Sequence, residues 1–180
     1  MKKQLANQLL NIFWTGLCFT PVVWYWYKQG LDIWWYMFLV IVVLVAFLPK
    51  KVIENLDFFQ HRRQYEKWGV KFIQRFAQDG RWASQFNKSS RVIKDVRQAT
   101  QYLTTIAMYE RFHCMCFVFF LLSSIHAFTQ GIILLGFLMF LANIPYNVAS
   151  LLLQQYNKLR IMKFAKQQLH NRTTKNKIKK

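Results

Sequence analysis

Residues 114–153 read CMCFVFFLLSSIHAFTQGIILLGFLMFLANIPYNVASLLL, without a single Asp, Glu, Lys or Arg. The short polar connection 126–130 divides this run into two apolar segments. Extended outward, the segments cover residues 102–128, with polar residues in the first half, and 131–153, which like the upstream segment 9–27 is close to the ~20 residues that a helix needs to cross a bilayer. Two further apolar segments lie upstream, at residues 9–27 and 33–48. The second of these is shorter and gains Trp34, Trp35 and Tyr36 as an interfacial edge. The expected fold is all-α: an integral membrane protein with about four transmembrane helices.

The charged residues lie between these segments and orient them. Residues 50–100 hold 12 Lys+Arg against five acids, and residues 158–180 hold nine Lys+Arg and no acid. The other two connections, 28–32 and 126–130, are short and nearly uncharged. By the positive-inside rule, both termini and the long loop 50–100 face the cytosol of a multi-pass cell-membrane protein. Trp24, Tyr25, Trp26, Tyr27, Trp34, Trp35 and Tyr36 then flank the first outer connection as an aromatic belt.

A length of 180 residues has room for one domain, expected here as a membrane domain over 1–160 followed by a basic tail over 161–180. The chain is 54% hydrophobic yet carries 25 Lys+Arg against 7 Asp+Glu, and the apolar and basic blocks alternate. A net charge of +18 suits either nucleic acid or anionic headgroups. No nucleic-acid-binding motif occupies the basic blocks, so the expected partner is the lipid bilayer and not nucleic acid. Cys18, Cys114 and Cys116 all sit in apolar segments, which argues against a disulfide framework. Met1-Lys2-Lys3 ahead of an apolar run looks like a signal peptide. The run is too long, ends in aromatics and has no small-residue cleavage site, so it is expected to be a retained first span.

The loop is more than a linker. Val70, Ile73 and Phe76 recur at helical spacing among Lys71 and Arg75, which predicts a basic amphipathic helix lying on the inner leaflet. Trp82 and Phe86, interleaved with Arg81 and Lys88, extend the pattern, and Asp79-Gly80 is a turn signal. A second helical stretch, residues 91–102, leads into the third span. Residues 171–180 are polar and basic and are expected to be mobile.

Ionisable residues inside an apolar segment are costly and are functional candidates by default. Glu110 and His113 are three apart and share a helix face. A carboxylate there can hold an imidazole in one tautomer as a general base that activates a hydroxyl. The competing reading is an interfacial charge cluster in which Glu110 pairs with a Lys or Arg and His113 caps the apolar run. E-x-x-H is also half of a di-iron site, but the other spans contain no acid, so no metal is expected. Asn143 and Asn147 share a face beside Pro145, which should kink the helix. They serve either as interhelical glue or as the lining of a headgroup pocket. Gln155, Asn157 and Arg160 sit where the fourth span meets the cytosol, either as substrate contacts or as simple anchors. Opposite chain directions bring this cluster and the Glu110/His113 cluster to the same inner side.

In order along the chain, four motifs resemble those of the glycosyl-4,4′-diaponeurosporenoate acyltransferase family of carotenoid biosynthesis. They are Glu66-Lys67-Trp68-Gly69, Glu110-Arg111-Phe112-His113, Asn143-Ile144-Pro145 and Gln154-Gln155-Tyr156-Asn157-Lys158-Leu159-Arg160. Gln155 and Lys158 stand where the family pattern has arginine. The resemblance spans residues 48–160 and implies transfer of a fatty acyl group to a sugar hydroxyl of a glycosylated carotenoid acid. It implies an amphiphilic glycosylated acceptor, a fatty acyl thioester (coenzyme A or carrier protein) as co-substrate, and no bound cofactor. On that basis His113, oriented by Glu110, takes the hydroxyl proton, and Asn143 or Asn157 stabilises the oxyanion. Arg160 and the loop lysines hold the anionic part of the donor, and Glu66 joins Asn143, Gln155, Asn157 and Arg160 as substrate-binding residues. The alternative function is a non-enzymatic membrane adaptor or lipid-carrier subunit docking on anionic lipid, for which Glu110 and His113 would tolerate substitution.

Overall fold

A computed structural model describes residues 2–76 and 96–178. Every regular element among these residues is helical, in the order α1 (Lys2–Gln29), α2 (Ile33–Ala46), α3 (Lys50–Glu54), α4 (Arg62–Lys67), α5 (Val70–Phe76), α6 (Val96–Thr129) and α7 (Ile133–Asn143). A π-helical turn, Ile144–Val148, then joins α7 to α8 (Ala149–Ile178). Asp79-Gly80, Arg81, Trp82, Phe86, Lys88 and the start of the stretch expected at residues 91–102 lie outside the described residues.

Two pairs of helices, each joined by a short turn, make the body, with α2 packed on α6 and α1 on α7. The first turn is set by Gly30, whose N–H donates to the Trp26 carbonyl, and by Asp32, whose Oδ1 accepts from the N–H groups of Trp34 and Trp35 at 3.0 and 3.2 Å. That N-cap satisfies two of the donors left open at the start of α2. The second turn passes through Gly131 at φ +73°, a left-handed conformation that a side chain would strain. At the other end of α2 the Arg111 guanidinium donates to the Ala46 carbonyl, tying α6 to an open helix terminus.

The aromatic residues expected to form an outer belt divide between two roles. Successive helix residues point about 100° apart, so a run of four cannot all face outward. Trp24, Tyr27, Trp34 and Tyr36 are exposed, whereas Tyr25 and Trp26 are buried. The Tyr25 hydroxyl lies 2.7 Å from His126 Nδ1, Trp26 Nε1 donates to Ser123 Oγ at 2.9 Å, and the Trp26 ring stacks on the His126 ring. These contacts close the hairpin end, where Cys18, Val22, Phe38, Phe120, Ala127 and Met139 form the main core with them.

Among the described residues two helices are long and apolar enough to cross a membrane, Arg97–Thr129 and the rod Ile133–Gln168. α2 has 14 residues and stops before the expected 48, at the turn ahead of Pro49. Large apolar side chains of α1, α2 and α7, among them Ile12, Phe13, Val40, Leu44, Leu134 and Phe137, are exposed. A patch of this kind would aggregate in water and suits a lipid solvent. α8 is helical to Ile178, with no Gly or Pro to interrupt residues 151–178.

At the opposite, loop end, α4 and α5 pack on α8. Tyr65 and Val70 are buried against Leu153 and Tyr156, with Ile73 partly buried beside them. Of the expected apolar face, Val70 and Ile73 meet a helix of their own chain, Phe72 beside them is exposed, and the Phe76 side chain lies outside the described residues.

Candidate active site

α1 and α6 meet where Phe19 packs edge-on against Phe120. The space between them is a groove of about 700 Å³, within the usual ~300–1,000 Å³ of small-molecule sites. Leu10 and Trp14 line it from α1, Phe112 and His113 from α6, and Tyr146 and Ser150 from below.

Pro145 shapes the floor. A proline lacks an N–H and crowds the carbonyl four residues back, and a π-helical turn accommodates both. The turn carries Tyr146 and Asn147, both buried, toward α6. Asn147 lies behind His113, and a chain of bonds fixes the ring. The Phe117 carbonyl only accepts, so Asn143 presents Nδ2 to it at 3.1 Å. Asn143 Oδ1 then accepts from Asn147 Nδ2 at 2.7 Å. Asn147 Oδ1 is left facing His113 Nδ1 at 3.2 Å. An amide oxygen cannot donate, so Nδ1 carries the proton and Nε2 keeps its lone pair for the groove.

This corrects the expected partner of the imidazole. Glu110 does not orient His113: it turns to α8, where Lys158 Nζ lies 3.0 Å from Oε1 and 3.3 Å from Oε2. Lys158 also reaches Asp57 Oδ1 at 2.7 Å. A carboxylate 3% exposed needs a cation, and the lysine at the same depth supplies it. The charge-cluster alternative describes Glu110, and the general-base alternative remains for His113.

The other site candidates are placed as follows. Asn143 is buried in the relay and does not line the groove. Gln155 holds the loop between α3 and α4: its Oε1 accepts from Phe58 N–H at 3.1 Å and from the Tyr65 hydroxyl at 3.0 Å. Burial pushes the Tyr65 phenol above its usual value, with Asp57 adding to the effect, so it stays a donor. Glu66 receives Lys71 at 3.0 Å, Arg62 at 2.9 Å and the Tyr156 hydroxyl at 3.1 Å. The hydrogen bond from Lys71, then those from Tyr156 and the nearby charges, hold its carboxyl below the usual range. Gly69, at φ +75°, makes the turn from α4 to α5, which explains the glycine of that motif. Arg160 is exposed and Asn157 half-buried, and neither lines the groove.

Sequence reasoning left Tyr146, Ser150 and the α1 wall out of the site. The four-residue spacing of Asn143 and Asn147 marked that pair, but not its hydrogen bond to His113. Trp14 and Thr15 resemble any residues of an apolar span and gave no signal.

An apolar groove with one fixed imidazole on its wall suits chemistry on an amphiphile. The family model for glycosyl-4,4′-diaponeurosporenoate acyltransferase matches residues 49–167, from the start of α3 well into α8, and the chain belongs to this family. No curated protein and no solved structure matches the chain.

Proposed function

We propose that this protein is a membrane acyltransferase that moves a fatty acyl group from a thioester onto a sugar hydroxyl of a glycosylated carotenoid or similar glycolipid. One observation carries the reading: in a chain of this family, His113 lines a lipid-sized groove with Nε2 free and Nδ1 held by Asn147. His113 Nε2 removes the proton of the sugar hydroxyl as its oxygen attacks the thioester carbonyl. The tetrahedral intermediate collapses with loss of thiolate, which takes the proton back from the imidazolium and leaves as thiol. The products are the sugar ester and the free thiol. Asn143 is committed to its relay and Asn157 is away from the groove, so oxyanion stabilisation falls to the polar groups that line it, Ser150 and Gln154.

In this reading α1, α2, α6 and the α7–α8 rod cross the cell membrane. The basic loop end, with Arg160 and the loop lysines, faces the cytosol and the anionic, soluble donor. The ion pairs of Lys158 and the bonds of Gln155 tie the α3–α4 loop, α4 and α6 to α8 at this end.

Lipid mass spectrometry on cells supplied with glycosylated carotenoid acid tests this function. Cells making the protein should accumulate a species heavier by one fatty acyl group, absent from cells without it. If no lipid in the extract gains an acyl group when the protein is made, acyl transfer is wrong and the adaptor reading takes its place.

A further inference from the structure

One wall of the groove is not part of the family match, which begins at residue 49. Leu10, Asn11, Trp14 and Thr15 belong to α1. Leu10 and Trp14 are four apart, so they stand one above the other on the helix face that looks into the groove. Contacts bound the groove toward the hairpin end, where Thr15 Oγ1 lies 3.2 Å from the Tyr146 hydroxyl and Phe19 packs edge-on against Tyr146. Toward the loop end, Phe72 and Ile73 of α5 line it. The floor from Pro145 to Gln154 is roughly 13 Å of helix at ~1.5 Å per residue. The open side lies between α1 and α6, where Met108 and Phe112 are exposed.

A short groove bounded by Tyr146 at one end and lined by α5 at the other suits a flexible saturated chain, which can enter from the bilayer and fold to fit. A rigid conjugated rod longer than the groove cannot bend into it. We infer that the groove seats the fatty acyl chain of the donor, and that Leu10 and Trp14 of α1 set which chain lengths are transferred. This rests on the acyl-transfer reading above. It assigns length selection to a segment outside the family match, where the relay and the ion pairs are absent. Apolar pockets discriminate weakly, about 10–200-fold per methylene at best, so the effect is a shifted preference and not an on–off selection.

The test uses the full chain in lipid vesicles with a glycosylated carotenoid acid and an equimolar mixture of saturated acyl-coenzyme A thioesters of graded length. Trp14→Ala enlarges the groove and should move the ester products toward longer chains, changing the long-to-short ratio about tenfold. Leu10→Trp fills it and should move them toward shorter chains. Opposite shifts cannot come from partial misfolding. A fatty acyl-coenzyme A carrying a terminal diazirine gives a second readout, with adducts expected within residues 10–15 and 108–113. Ester formation with an unchanged length distribution in both variants overturns the inference and leaves acyl transfer standing. No ester from the wild type defeats acyl transfer instead. In that case adducts at α1 and α6 keep the groove as an acyl-chain site, and adducts elsewhere end that claim as well.

Discussion

His113 depends on Asn147, so substitutions of that amide should act on turnover and not on binding. Asn147→Ala leaves Nδ1 without its acceptor at 3.2 Å and lets the ring change tautomer. We expect kcat to fall about 10-fold, a fraction of the ~10²–10⁴ that a general base contributes, with KM unchanged. A rise in KM at constant kcat would place Asn147 in binding instead. At this scale the sequence singled out Glu110 and His113 and left two readings of the pair open; the structure gives Glu110 a lysine partner, as the charge-cluster reading has it, and puts Asn143 in the relay behind His113. Three-residue spacing fixes neighbours along one helix, but it says nothing of a cation at the same depth on another. Lys158 is 48 residues away, and only the fold brings it to Glu110. Gln155 was legible as a motif residue but not as the brace of the α3–α4 loop, because two of its partners are backbone groups with no side-chain signature and the third, Tyr65, is 90 residues away.

At the scale of elements, Lys158 and Glu66 join α8 to α6 and to the loop helices. Lys158→Met leaves Glu110 buried and uncompensated, and removing one partner of a buried pair costs about 3–5 kcal/mol. Thermal unfolding in detergent micelles should show a large loss for Lys158→Met and recovery of most of it in Glu110→Leu/Lys158→Met. Additive losses would mean that the two side chains are not coupled. The Glu66 carboxyl is held below its usual value by Lys71, Tyr156 and Arg62. A depressed carboxylate contributes stability that is present above its unfolded pKa of about 4.3 and is lost as pH falls through the folded value. Unfolding of Glu66→Gln should therefore lose part of the acid-side pH dependence seen in the wild type; an identical pH dependence would show that the cluster does not stabilise the fold. The amphipathic face of α5 was visible in the spacing of Val70 and Ile73. Its burial against Leu153 and Tyr156 was not, because periodicity marks an apolar face without naming its cover.

For the molecule as a whole, the four apolar segments were legible, because runs without charge can only be buried in protein or lipid. Two of them correspond to helices long enough to span, α6 and the α7–α8 rod. The division of the aromatic run between core and surface depended on helix rotation, which composition does not record. The proposed topology places residues 30–31 and 130–131 outside the cell and the loop end inside. A cysteine at Gln130 should react with a membrane-impermeant maleimide on intact cells, and one at Glu54 only after permeabilisation. Equal labelling of both on intact cells would contradict the four-span arrangement. The groove, open between α1 and α6, then faces lipid, so an amphiphile reaches His113 without leaving the membrane.

The most direct test of the account is the turnover of purified His113→Ala beside the wild type in lipid vesicles, with labelled acyl-coenzyme A and glycosylated carotenoid acid. The wild type should form the labelled ester, and His113→Ala should retain its fold and melting temperature while kcat falls about 10²–10⁴-fold. Ester formation by His113→Ala at the wild-type rate would contradict the account, because an imidazole that can be removed without loss is not the base.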